Sequence, residues 1–159
     1  STGVRGMKLD DEKDEVVGMI CVNKEDNTNI LVVSEQGYGK RTLLDDENGE
    51  PIYRITNRGG KGVKTMNITE KTGKLVAIKN VTDDNDLMII NKSGIAIRLK
   101  VADIPVIGRA TQGVRLINLE KRNDEIASVC KVDSEPVEEI VDEEIIETEL
   151  AENNEPNEN

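Results

Sequence analysis

Histidine, tryptophan and phenylalanine are absent from the 159 residues, and Tyr38 and Tyr53 are the only aromatic side chains. Without imidazole there is no histidine general base, no nucleophilic triad of the Ser-His or Cys-His kind and no Cys/His zinc cluster. The two cysteines, Cys21 and Cys130, stand 109 positions apart, which is not a short metal-ligand spacing. They are expected to be buried apolar residues of a reducing cytoplasm. The scarcity of rings nearly removes base stacking as a mode of binding and leaves core packing to Val, Ile, Leu and Met. No apolar run has the length of a membrane span, and "STGVRGMKLDDEKDEVV" carries no signal- or transit-peptide pattern, so no membrane partner is expected. That opening reads as a chain cut in mid-structure. With 36% hydrophobic and 33% charged residues, one modest core is possible.

Charge of one sign is missing from the end of the chain. The formal net charge is -11, yet all 21 Lys and Arg lie within residues 1–132 beside 20 acids, while residues 133–159 hold 12 acids and no base. The chain is therefore a balanced domain, 1–132, followed by an acidic tail, 133–159. In the tail Val137, Ile140, Val141, Ile145, Ile146 and Leu150 recur at helical spacing after Pro136, which predicts a weak helix over 136–151, with disorder after Glu152. Tethered polyanions act at high local concentration, so this segment is expected to compete for any basic surface of the domain. The acidic clusters Asp10–Glu15, Asp45–Glu47 and Asp83–Asp86 read as solvated loops, and no metal site is expected.

What is present is self-similarity. "GVRGMKL" from Gly3, "GVKTMNI" from Gly62 and "GVRLINL" from Gly113 are versions of one element, each with a basic residue two after its glycine: Arg5, Lys64 and Arg115. A second element follows each of them, "VVGMICV" from Val16, "LVAIKNV" from Leu75 and "IASVCKV" from Ile126. Between them, "ILVVSEQGYGKRT" from Ile30 matches "LMIINKSGIAIRL" from Leu87, two strands around a turn at Gly37 or Gly94. Repeats near 3–61, 62–112 and 113–132 result, the last incomplete. About four short antiparallel strands per unit predict an all-β, propeller-like array forming part of a ring. The absence of His and Trp excludes the Gly-His and Trp-Asp pairs of WD40 blades.

The ordered run of "GVRGMKL", "GYGKRT", "YRITNRGGKGVKTM" and "LMIINKSGIAIRLKVADIPVIGRATQGVRLINL", with the acidic tail, resembles the C-terminal domain of the DNA gyrase A protein over essentially the whole chain. The resemblance implies a β-pinwheel whose basic outer rim wraps duplex DNA during ATP-dependent negative supercoiling. It also implies the rest of gyrase A and gyrase B as partners in an A2B2 complex, a cytoplasmic, nucleoid-associated location, and ATP and Mg²⁺ sites outside this chain. This piece alone is expected to catalyse nothing and to hold no cofactor. In that family a seven-residue box, Gln-Arg-Arg-Gly-Gly-Lys/Arg-Gly, is required for wrapping. Arg58, Gly59, Gly60, Lys61 and Gly62 match its last five positions, but Thr56 and Asn57 replace Gln and Arg. The stretch is a degenerate copy, and Arg109 to Gly113, "RATQG", is a more decayed one; the complete box is expected upstream. The corresponding domain of topoisomerase IV is similar but lacks the box, and upstream sequence would separate the two.

The residues themselves point the same way. Glycine admits close backbone approach or positive φ, and neighbouring cations neutralise phosphates without reading bases. Candidate DNA contacts are Arg5, Lys40, Arg41, Arg58, Lys61, Lys64, Arg98, Lys100, Arg109 and Arg115. Gly3, Gly37, Gly59, Gly60, Gly62, Gly94 and Gly113 are either turn and bulge positions or places of close phosphate approach. Tyr38 is expected to be a turn residue packing on a neighbouring blade. A protein-interaction propeller is the alternative function, weakened by the lack of aromatic anchors.

Overall fold

The computed structural model describes residues 1–120 and 123–134. Among them every regular element except two short 3-10 turns is a strand. β1 (Asn29–Ser34) and β2 (Tyr38–Thr42) form the first hairpin, and β4 (Asn85–Asn91) and β5 (Ala96–Lys100) the second. The amide of Gly37 donates to Ser34 O (3.1 Å) and that of Gly94 to Asn91 O (2.9 Å), so both turns close alike.

Each hairpin is extended by a strand from the element that follows it. β3 (Leu75–Val81) pairs antiparallel with β1, and β7 (Ile126–Asp133) with β4. A register shift falls between Val33 and Ser34 in the first pairing and between Ile90 and Asn91 in the second, the same place in the repeat. β6 (Val114–Arg115) then pairs with β2, opposing Arg115 to Tyr38. The strand orders are β3-β1-β2-β6 and β5-β4-β7. A sheet is thus completed by chain from later repeats, and its neighbours are stitched together.

Alternation along β1 feeds two cores. Leu31 and Val33 join Ala77, Val81, Leu87, Ile89, Val101, Ile104, Leu119, Ile126 and Val129, which come from both sheets and from the segments after β5 and β6. Ile30 and Val32 point the other way, to Tyr38 and Met66. Covered on both faces, β1 needs the near-continuous apolar run "NILVVS", and each such side chain contributes about 1.5–3 kcal/mol through burial. β5 is covered on one face only, and its alternation leaves Ala96, Arg98 and Lys100 outside.

Three expected strands do not form, over 3–9, 16–22 and 62–68. Residues 3–9 and 16–22 lie in no sheet, and Val4, Val16 and Met19 are largely exposed, Met19 at 88%. Strands β3 and β7 each pair with the hairpin preceding them, and the described residues contain no hairpin ahead of 16–22. Cys21 lies in this unpaired stretch and Cys130 on the outward face of β7; both are exposed, against the expectation of burial. The strand β7 extends one residue past the expected domain limit, to Asp133, and Ser134 is held by Asp84 O (amide, 3.2 Å) and Asp86 Oδ1 (3.1 Å). The expected helix over 136–151 and the residues beyond it lie outside the described residues.

Candidate nucleic-acid interface

One main-chain bond recurs between repeats and sets the arrangement of the basic residues. Lys8 N donates to Gly60 O (2.9 Å), and Asn67 N donates to Thr111 O (3.0 Å). Lys8 and Asn67 hold equal places in "GVRGMKL" and "GVKTMNI", as do Gly60 and Thr111 in "RGGKG" and "RATQG". Each glycine-basic stretch therefore docks on the preceding repeat's Gly-Val element. A second bond, Gly59 N to Gly6 O (2.9 Å), tightens the first docking.

The docking gathers Arg5 and Lys8 beside Arg58 and Lys61. At the next junction the Arg109 guanidinium donates to Lys64 O. Arg5, Lys8, Arg58, Lys61 and Lys64 are exposed and Arg109 is half-buried, so these six cations follow the two junctions. Lys61 also meets Asp10 at 3.2 Å with both side chains about two-thirds exposed, a pairing that solvent and salt weaken. Recurrence of charge does not mark Lys8 in the sequence, because its repeat counterparts are Asn67 and Asn118.

Five other candidates sit differently. Lys40, expected on the outer surface, is fully buried: its ammonium donates to Gly108 O (2.6 Å), to Arg109 O and to Thr111 Oγ1 (3.1 Å). Arg41 is buried too, donating through Nε to Ile104 O (2.7 Å) and through Nη1 to Asn29 Oδ1 (3.3 Å) and Asp83. Both are corrected from surface cations to internal ones. Their donors meet carbonyls of an irregular segment that has no ladder of its own. Arg115 has an exposed head but is engaged: Nη2 reaches Tyr38 OH (3.2 Å) and Glu120 Oε1 (2.7 Å). These partners, the tyrosine first, raise its pKa. Arg98 is exposed and pairs through Nε with Asp86 Oδ2 (2.7 Å), which holds the Asp86 carboxyl below its ordinary range. Lys100 is exposed beside it.

Tyr38 is not a turn residue but the first residue of β2, buried in the second core, with Lys71 Nζ and Arg115 Cζ 5.6 and 5.7 Å from its ring centroid. The tyrosine serves as a platform that orders two cations.

Burial first, and then the nearby Arg109 charge, lower the Lys40 pKa from 10.5 to about 8. At neutral pH the ammonium is charged and its three donors face three acceptors. Between pH 8 and 10.5 the unfolded chain holds more proton at this residue than the folded one, so Lys40 makes stability rise with pH across that window. The stability of the wild type relative to Lys40→Met, from denaturant unfolding, is expected to increase from pH 8 to 10.5. A flat difference would contradict it.

Among the described residues no group of three or more His, Cys, Asp and Glu is placed to hold a metal ion, and no helix is long and apolar enough to cross a membrane. The arrangement offers a polyanion a set of ammonium and guanidinium groups.

Stitched antiparallel sheets with basic junctions define a propeller-type repeat domain. The family model described as "DNA gyrase C-terminal domain, beta-propeller" matches residues 1–23, 28–82 and 85–131, and the chain belongs to that family. The ranges 28–82 and 85–131 each take in one hairpin and all or most of the strand that extends it. The DNA gyrase A protein of Staphylococcus aureus strain MRSA252 is 47% identical over 143 residues, covering 90% of this chain and 15% of that protein. That of strain NCTC 8325 / PS 47 is 46% identical over 132 residues, 83% of this chain and 14% of the relative. The chain thus spans a small part of the length of these relatives. A structure of the DNA gyrase A C-terminal domain superposes with TM-score 0.57 at 28% identity over 68% of this chain and 34% of its own. The C-terminal domain of DNA topoisomerase IV gives 0.69 at 21% identity over 96% and 43%, a likeness of fold.

Proposed function

We propose that this chain binds duplex DNA through its phosphates, without sequence preference, and bends it around the blade edges as part of a DNA gyrase A protein. The recurring junction bond carries this reading, because it brings cations from successive repeats to equivalent places along the array. Membership of the gyrase family and the identity to gyrase A relatives favour gyrase over topoisomerase IV. Exposed apolar residues of the unpaired opening, Val4, Val16 and Met19, then pack on a further unit of the same kind in the longer polypeptide. The remainder of that polypeptide and gyrase B complete an A2B2 enzyme in the bacterial cytoplasm, and the ATP-dependent chemistry lies there.

Affinity for a mixed-sequence duplex, measured over a salt series, is expected to fall steeply with salt and to be equal on unrelated sequences. Flat affinity between low and moderate salt would remove the phosphate reading. Truncation after Val132 is expected to tighten binding at low salt, with the gain shrinking as salt rises, because the acidic tail then no longer competes. Equal low-salt affinity of the two chains would leave the tail a solubility element.

A further inference from the structure

We infer that Lys40 and Arg41 are positioning residues for DNA binding: buried in β2, they latch the crossing segment 102–111 of the next repeat and so set where Arg109 and Lys64 stand. This rests on the DNA-binding reading above.

The latch uses six carbonyls of the segment. Arg41 takes Ala102 O through Nη2 (3.5 Å) and Ile104 O through Nε (2.7 Å), and its main-chain amide takes Pro105 O (3.1 Å). Thr42 Oγ1 donates to Ile107 O (3.1 Å), and Lys40 holds Gly108 O and Arg109 O. Ile107 N returns a bond to Arg41 O (2.8 Å). A largely irregular run is thus held at one fixed height on β2. Charged donors to neutral acceptors are the stronger class of such bonds, and they leave neither cation free for phosphate.

The second hairpin carries the same local pattern in a different setting. Arg98 stands at the place of Arg41 and Asp86 at that of Asn29, and the cross-strand pair is kept at 2.7 Å. Ile97 replaces Lys40, and Arg98 is exposed. The same local pattern is a latch in one sheet and surface in the other. Downstream of the latch, Thr111 O takes Asn67 N and the Arg109 head takes Lys64 O, so displacement of the segment moves the second basic junction as a unit.

The test combines amide exchange with DNA titration on the full chain. In Lys40→Met, amides of Ile107 and Asn67 are expected to exchange about tenfold faster or more. Affinity for a mixed-sequence duplex should weaken several-fold, because the displaced Arg109 and Lys64 neutralise fewer phosphates. Arg109→Gln, which removes a cation from the phosphate path, should reduce the log-log salt slope by about 0.9 and leave exchange at Ile107 as in wild type. Weaker affinity in Lys40→Met with exchange unchanged would make Lys40 a DNA contact and overturn the inference. Unchanged affinity despite faster exchange, or unchanged exchange, would overturn it as well. Should Lys40→Met not fold, Thr111→Val, at an exposed position, cuts the same latch from its other side and should give the same signs more weakly. A wild type without salt-dependent binding would sink the DNA reading itself, while the exchange pattern would still report the latch.

Discussion

Gly113→Ala is expected to destabilise the domain by about 3 kcal/mol or more, whereas Gly62→Ala should cost about 1–2 kcal/mol. The two glycines hold equal places in their repeats and nearly equal backbone angles, φ +84° and +85°. Both substitutions therefore carry the same conformational cost of placing an L side chain in the left-handed region. The surroundings differ. A Cβ on Gly113 would stand 2.7 Å from Gly39 O and 3.1 Å from Gly39 C, where β6 crosses β2, and 3.2 Å from Met66 Cε. At Gly62 the nearest atom would be Met7 Cε at 3.9 Å, an ordinary contact. Relief at Gly113 requires the backbone of β6 or β2 to move, which breaks the Tyr38–Arg115 pairing that stitches adjacent units. Against a typical total stability of about 5–15 kcal/mol, such a loss should shift a denaturation midpoint far more than Gly62→Ala does. Equal midpoints for the two variants would mean that β6 does not approach β2 closely in solution. By the same reasoning Gly62→Val should hurt folding more than neutralising its basic neighbours.

Neutralising Arg58, Lys61 and Lys64 together is expected to lower DNA affinity on every sequence and to reduce the log-log salt slope by about 2.7, near 0.9 for each phosphate no longer neutralised. All three side chains are exposed, so the weaker binding should come with little change in stability. The reference point is Lys61, whose partner Asp10 already neutralises part of its charge in the free protein. Replacing Lys61 alone should therefore cost less affinity than replacing Lys64 alone. The measurement is a salt series on two unrelated duplexes with each variant. An unchanged slope in the triple variant would turn the junction away from DNA, and a drop confined to one duplex would replace phosphate contact with base recognition.

Legibility in the sequence differs from residue to residue. The glycines and the basic triplet are legible because turns and repeated Gly-Val elements leave a one-dimensional trace, a fixed offset between equal residue types. Lys8 is not, since its role comes from a neighbour 52 positions away, Gly60, rather than from a recurring charge. The latch differs in kind from its appearance in the sequence. "GYGKRT" looks like a hairpin edge with two surface cations open to DNA, and only the passage of residues 102–109 over β2 converts them into buried donors. The strand expected over 16–22 has the apolar run of its repeat counterparts, but a strand needs a partner as well as a pattern, and among the described residues it pairs with no strand.

The amino-acid order by itself determined the all-β class, the two hairpins with their glycine turns and the division of charge between domain and tail. Each of these depends on residues close in sequence, where side-chain alternation, turn geometry and composition act locally. Only the tertiary structure decided which cations face solvent, whether the cysteines are covered and which extended segments become strands. Arg41 and Arg98 share one local pattern and one cross-strand partner position, yet one is 6% exposed and the other lies on the surface. Over the first lies a segment from about sixty residues away, whose carbonyls take its donors. Burial of a charge is a property of what crosses it, and that is set by the path of the whole chain.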